Sequence, residues 1–252
     1  MAKKAVEKDV FDEAMDFSAD AGQGYENVGQ EDLGIPFIKI IQSMSPERDK
    51  TESAYIPGAE EGMLFNSATK EILGGEGEPI RFIPCVYEKA WVEWKPRNSG
   101  GGIVRSHKTD DILKQCTRDE KGHDALPSGN LVTTTVYLLG LYLPPDGDAQ
   151  RVLVSFTSTQ LKKARQILST MITQKLVAKD GKKYTPPMWS NVLHVSTTLE
   201  QNNDGKWYGY KLSIAERLAD RDVAENAKEL IAGNKQKLLA ARTEEPEELE
   251  EI

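Results

Sequence analysis

The chain has 252 residues, of which 38% are hydrophobic, and a formal net charge of −8; such a length sustains one sizeable core, with the polar excess placed in extensions. No apolar run reaches the roughly 20 residues that a bilayer span needs, and Met1-Ala2-Lys3-Lys4 has no apolar stretch behind it to make a signal peptide. Cys85 and Cys116 are the only cysteines and make no disulfide framework, so a reducing, cytoplasmic setting without a membrane partner is expected.

Residues 1–32 mix acids with Ala and Gly and read as a largely disordered extension. Order is expected to begin near Leu33-Gly34-Ile35-Pro36, with an apolar stretch from Phe37 to Ile41. Glu61 to Leu73 reads as a strand or hairpin around Asn66-Ser67-Ala68-Thr69, and Ile80 to Lys95 as a long strand with a bulge or edge position at Pro84. Arg97 to Asn130, glycine-rich and charged, is predicted to be a long loop.

Leu131 to Leu143 is a β-branched strand, turned by Pro144-Pro145-Asp146-Gly147 into a partner from Arg151 to Phe156. Thr157-Ser158-Thr159 offers N-cap hydroxyls for a helix with Leu161, Ala164, Leu168, Met171 and Ile172 on its apolar face. Asn191 to Leu199 and Trp207 to Ile214 form a hairpin about Asn202-Asn203-Asp204-Gly205, whose residues tolerate positive φ. Glu216 to Arg242 reads as one long helix or two short ones broken near Gly233-Asn234, and 243–252 as a disordered acidic tail. The expected class is mainly β (α+β): an OB-type antiparallel barrel over 33–215 with an inserted helix, then a C-terminal helix over 216–242. A β-sandwich fits the strand count nearly as well.

Charge is segregated. The tail holds six glutamates without a base, and residues 1–32 hold nine acids against three lysines. Taking both ends from the totals of 40 acids and 32 bases leaves residues 33–242 with 25 acids and 29 bases, a charge of +4. Within that middle, Lys162, Lys163, Arg165, Lys175, Lys179, Lys182 and Lys183 cluster around the inserted helix and the turn after it. Such clusters neutralise phosphates and release their counterions.

Aromatic residues lie beside bases elsewhere: Trp91 and Trp94 with Lys95, Arg97 and Arg105, Trp189 after the basic turn, and Trp207 two residues from Gly209 and four from Lys211. Sequence-tolerant binding of single strands uses such platforms, at about 1–3 kcal/mol per stacked base. Alternation puts Trp207, Gly209 and Lys211 on one strand face, assigned to ligand, and Tyr208, Tyr210 and Leu212 on the other, assigned to core. Only one of Trp91 and Trp94 is expected to be exposed.

Other chemistry finds less support. Cys85, His107, Cys116 and His123 are zinc-ligand types, but their spacing matches no paired pattern, and buried thiols and loop histidines are favoured. The glycines at 100–102 lack a closing Gly-Lys-Ser/Thr, and no nucleophile motif points to His194. An enzyme is not expected, nor a cofactor. In the tail, Glu247, Glu248, Leu249, Glu250, Glu251 and Ile252 suit capture by a basic pocket, or occupancy of the chain's own cationic groove.

Leu33-Gly34-Ile35-Pro36-Phe37, the stretch from Phe82-Ile83-Pro84 to Trp94-Lys95-Pro96-Arg97, and Ser158-Thr159-Gln160-Leu161-Lys162-Lys163-Ala164-Arg165 resemble phage-encoded single-stranded DNA-binding proteins. The resemblance covers about residues 33–215 and the acidic tail. It implies an OB fold that binds single strands without sequence preference, and a C-terminus that recruits the polymerase and helicase-primase in a bacterial host's cytoplasm. The long helix before the tail and the extended N-terminus depart from that pattern and leave the oligomeric state open, a homodimer included. Rival readings are a single-strand annealing protein and a virion structural or scaffold protein.

Overall fold

Runs of β-branched and aromatic residues, broken by Gly, Pro and Asn turns, give the described residues thirteen strands and two α-helices. The computed structural model describes residues 34–96, 99–120, 122–203 and 205–234. The strands are β1 Phe37–Ile40, β2 Leu64–Asn66, β3 Ile72–Gly74, β4 Ile80–Trp94, β5 Ile103–His107, β6 Thr117–Arg118, β7 Asp124–Ala125, β8 Leu131–Leu143 and β9 Gln150–Thr157. Helix α1 (Leu161–Thr173) follows, then β10 Leu176–Val177, β11 Lys183–Tyr184, β12 Asn191–Asn202, β13 Gly205–Arg217 and α2 Arg221–Asn234.

One mainly antiparallel sheet runs in the order β13-β12-β4-β8-β9-β1-β2-β3, with β1 parallel to β9 and β5 and β7 added at the far end of the β4–β8 pair. The expected hairpin at Asn66 forms between β2 and β3, its turn held by the Asn66 carboxamide, which accepts the N–H groups of Ala68 and Thr69. Pro84 sits in a central strand, and a bulge accommodates it. The β4–β8 register passes from Pro84↔Gly140 to Val86↔Leu139, leaving Cys85 as the extra residue.

The sheet is curled, and side-chain hydrogen bonds link β13 to the chain around β1 and after β9. The carboxamide of Gln42, just after β1, accepts the Tyr208 N–H at 2.9 Å and donates to the Tyr208 carbonyl at 2.7 Å. Gln160 accepts the Tyr210 N–H at 2.8 Å, and the Tyr210 hydroxyl donates to the Ile38 carbonyl at 2.7 Å. Two glutamines thereby satisfy backbone groups of β13 that face no strand, which removes part of an open edge.

Each face of the sheet buries a core. On the inside, Phe82, Val136, Leu138, Val154, Phe156, Leu193 and Val195 meet Ala164, Ile167 and Met171 of α1. On the outside, Ile83, Cys85, Leu139 and Leu141 meet Ala227 and Leu230 of α2. Asp220 starts α2 by accepting the N–H groups of Asp222 and Val223. No helix among the described residues is long and apolar enough to cross a membrane.

Four local expectations are corrected. Residues 97–130 are not a structureless loop: β5, a 3-10 segment Asp110–Gln115, β6 and β7 build an annex on the β4–β8 arm. The hydroxyls of Thr157, Ser158 and Thr159 make no helix cap, because a 3-10 turn (Ser158–Gln160) precedes α1 and directs the Gln160 side chain to β13. Ile172 is 62% exposed, while Ile167 takes the core position. The strand expected to end at Ile214 continues to Arg217, and the described part of the following helix is α2.

Candidate nucleic-acid interface

Alternation along β4 puts Tyr87, Lys89, Trp91 and Glu93 on one face, and the register brings His107 opposite Trp91 and Arg105 opposite Glu93. These six residues form one patch on the arm. Tyr87 is 41% exposed, whereas Trp91 is 8% exposed beneath the Lys89 ammonium, 4.6 Å from its ring centroid. Glu93 is held from two sides: Asn130 Nδ2 donates to Oε1 at 2.6 Å, and His107 Nε2 lies 3.2 Å from Oε2. Arg105 is exposed and forms no ion pair with any described residue. A cavity of about 560 Å³ opens beside this patch, its lining shared by the charged and polar Glu93, Arg105, His107 and Asp111 and the apolar Ile112, Leu126 and Pro127.

Trp94 is half-buried on the opposite face of β4, and Lys95 is exposed just beyond it. The two tryptophans thus lie on opposite faces and neither is fully exposed, Trp94 being the more accessible. Arg97 lies outside the described residues, as does the acidic tail with Glu247, Glu248, Leu249, Glu250, Glu251 and Ile252.

A second group gathers where α1 meets the β12–β13 hairpin. The Trp207 indole N–H donates to Glu200 Oε2 at 2.9 Å, Gln160 Nε2 reaches the same oxygen at 3.1 Å, and the Lys163 ammonium ion-pairs with the other. Burial pushes the Glu200 carboxyl up, but hydrogen bonds from Lys163, Gln160 and Trp207 and the Lys163 charge hold it below its ordinary range. Gly209 makes room for this node: a Cβ there would lie 2.6 Å from Gln160 Nε2 and 2.8 Å from Glu200 Oε2. Lys163 is thus engaged within the chain, and Trp207 is half-buried. Lys162, Arg165 and Lys211 are exposed, and Tyr210 is core as expected.

The β10–β11 lysines and Trp189 stand apart from both groups. Lys182 and Lys183 are exposed in the β10–β11 hairpin, which forms its own two-stranded sheet, with Lys182 Nζ 3.4 Å from Asp180. Trp189 is half-buried against the outer core, with Lys228 of α2 at 5.7 Å from its ring. The four zinc-ligand types are dispersed. Cys85 is buried, which pushes its thiol up to about 12, Cys116 donates to the Ile112 carbonyl, His107 faces Glu93 and His123 faces Asp119. The described residues contain no cluster of three or more such ligands.

Sequence reasoning missed Tyr87, Lys89, Glu93 and Glu200. The first three were available from period-2 spacing through Trp91. Glu200 was available from the turn: pairing Asn202 with Gly205 places Glu200 opposite Trp207.

A family model described as Pam3 phage gp34-like protein matches residues 3–239. No curated protein and no solved structure matches the chain.

Proposed function

Since the chain belongs to the Pam3 phage gp34-like protein family, we propose that it is a sequence-independent single-stranded DNA-binding protein of a phage replication or recombination module, built on an OB-type barrel. The observation that carries this reading is the arm patch, where Tyr87, Lys89, Trp91, Arg105 and His107 interleave aromatic and cationic groups on one strand face. Stacking surfaces beside cations are what a flexible, unpaired strand requires.

Strand order supports the OB-type reading. With β4, β8, β9, β12 and β13 counted one to five, the spatial order is five-four-one-two-three, and α1 lies between the third and fourth. In such barrels ligands lie over strands two and three and between loops one-two and four-five. Here α2 covers part of the outer β4–β8 face. The proposed contacts therefore lie on the loop one-two annex with the arm, and on the β12–β13 hairpin. Bases stack on Tyr87, Trp94 and Trp207, while Lys95, Arg105, Lys162, Arg165, Lys182, Lys183 and Lys211 hold phosphates. The acidic tail competes for these cations and, once displaced, recruits replication proteins.

The annealing rival needs a surface for ring assembly. The described part of the terminal helix spends its apolar residues Ala227 and Leu230 on its own sheet, which favours the first reading. Titrating tryptophan fluorescence with oligo-dT at several salt concentrations tests the proposal. Quenching that weakens as salt rises is expected. No quenching and no binding at low salt, with the tail removed as well, would overturn it and leave the virion structural rival ahead.

A further inference from the structure

The cavity beside the arm combines features that a general phosphate-binding surface does not need. Its volume of about 560 Å³ falls in the range of small-ligand sites, roughly 300–1,000 Å³. Ile112, Leu126 and Pro127 give apolar surface to a lining that is otherwise polar, with Asp111 and Ser128 among its other members; an apolar patch beside polar groups suits the face and edge of a heteroaromatic ring. Part of the polar lining is fixed. With Asn130 on one oxygen of Glu93 and His107 Nε2 on the other, the imidazole is oriented by the carboxylate. With Nε2 against Glu93, the other ring nitrogen of His107 is left for a further partner. Arg105, in the same lining, forms no ion pair with a described residue, although the carboxylates of Glu93 and Asp111 share the cavity with it and Asp111 is paired with Lys114.

We propose that this cavity is a nucleotide subsite: it takes one unstacked base of the bound strand against Ile112, Leu126 and Pro127, with His107 at the base edge and Arg105 on the adjoining phosphate. The inference rests on the single-strand reading and adds to it a discrete pocket for one nucleotide. The row Tyr87, Lys89, Trp91 on the same face of β4 supplies the track that leads the strand to it.

The test uses the full chain and oligo-dT carrying a single 2-aminopurine, placed in turn at each position. A base lifted from the stack into the cavity brightens at the positions that reach it, and tryptophan quenching reports overall binding independently. Arg105→Ala and His107→Phe should each abolish the brightening and weaken binding about tenfold or less, as the loss of one charge-assisted or neutral contact would. Lys211→Ala, on β13, should weaken binding and leave the brightening intact. Free 2-aminopurine deoxyribonucleotide monophosphate, titrated alone, distinguishes sources: brightening with the monophosphate but not with the strand would assign the cavity to free nucleotide and overturn the proposal. If oligo-dT quenches tryptophan but aminopurine never brightens, or brightens equally in both arm variants, the subsite is refuted while single-strand binding stands. If oligo-dT does not bind at all, the underlying reading fails.

Discussion

Glu200→Ala removes the carboxylate on which Lys163, Gln160 and Trp207 converge. Breaking a buried ion pair from one side typically costs about 3–5 kcal/mol, because the remaining charge is stranded. The Lys163 and Glu200 side chains keep 22% and 23% exposure, so water recovers part of that cost. A loss of about 2–3 kcal/mol is expected after this discount, which for a domain of this size lowers Tm by roughly 5–10 °C. Urea unfolding at pH 7 of wild type, Glu200→Ala, Lys163→Met and the double variant gives the coupling, expected to be at least about 1 kcal/mol. The pH dependence adds a sign. A carboxyl held below its ordinary range contributes stability above the unfolded pKa, near 4.3, and loses it as pH falls through the folded value. The gap between wild type and Glu200→Ala should therefore shrink as the solution is acidified below about pH 4. A loss under about 0.5 kcal/mol with no coupling would refute the node as a structural link between α1 and the hairpin.

Gly140→Ala places a Cβ 2.0 Å from the Ile83 carbonyl oxygen and 2.6 Å from the Phe82 ring, so a loss of about 3 kcal/mol or more is expected in urea unfolding; wild-type stability would refute the packing at the bulge. Ellman's reagent at neutral pH should react with Cys116 and leave Cys85 until the chain unfolds, given Cys85's 6% exposure and raised pKa; prompt labelling of both thiols would contradict the outer core. Gln42→Ala and Gln160→Ala should each cost about 1 kcal/mol and speed amide exchange at Tyr208 and Tyr210 respectively, and unchanged exchange would remove the glutamines from the seam. Deleting 243–252 should tighten oligo-dT binding at low salt, an effect that fades as salt screens the tail, and equal affinities would count against tail competition.

The sequence by itself carried the long strands, since their signals are local. Aromatic and β-branched residues marked β4 and β8, the Asn-Asn-Asp-Gly turn marked the β12–β13 hairpin, and Pro84 marked a bulge or an edge position, because a residue without an N–H cannot complete a central ladder. Alternation also placed Tyr210 inside and Lys211 outside. Strands β5, β6 and β7 were not legible, being two to five residues long and formed only because the β4–β8 arm offers partners. Nor could local sequence show that Lys163 would be consumed by Glu200, or that Gln42 and Gln160 would bridge a seam, since these contacts join residues 37, 166 and 50 positions apart. Patterning fixes which face of an element is apolar. Which element covers that face, and which charges are left for a partner, is decided when the curled sheet brings distant segments together and burial makes each unpaired polar group costly.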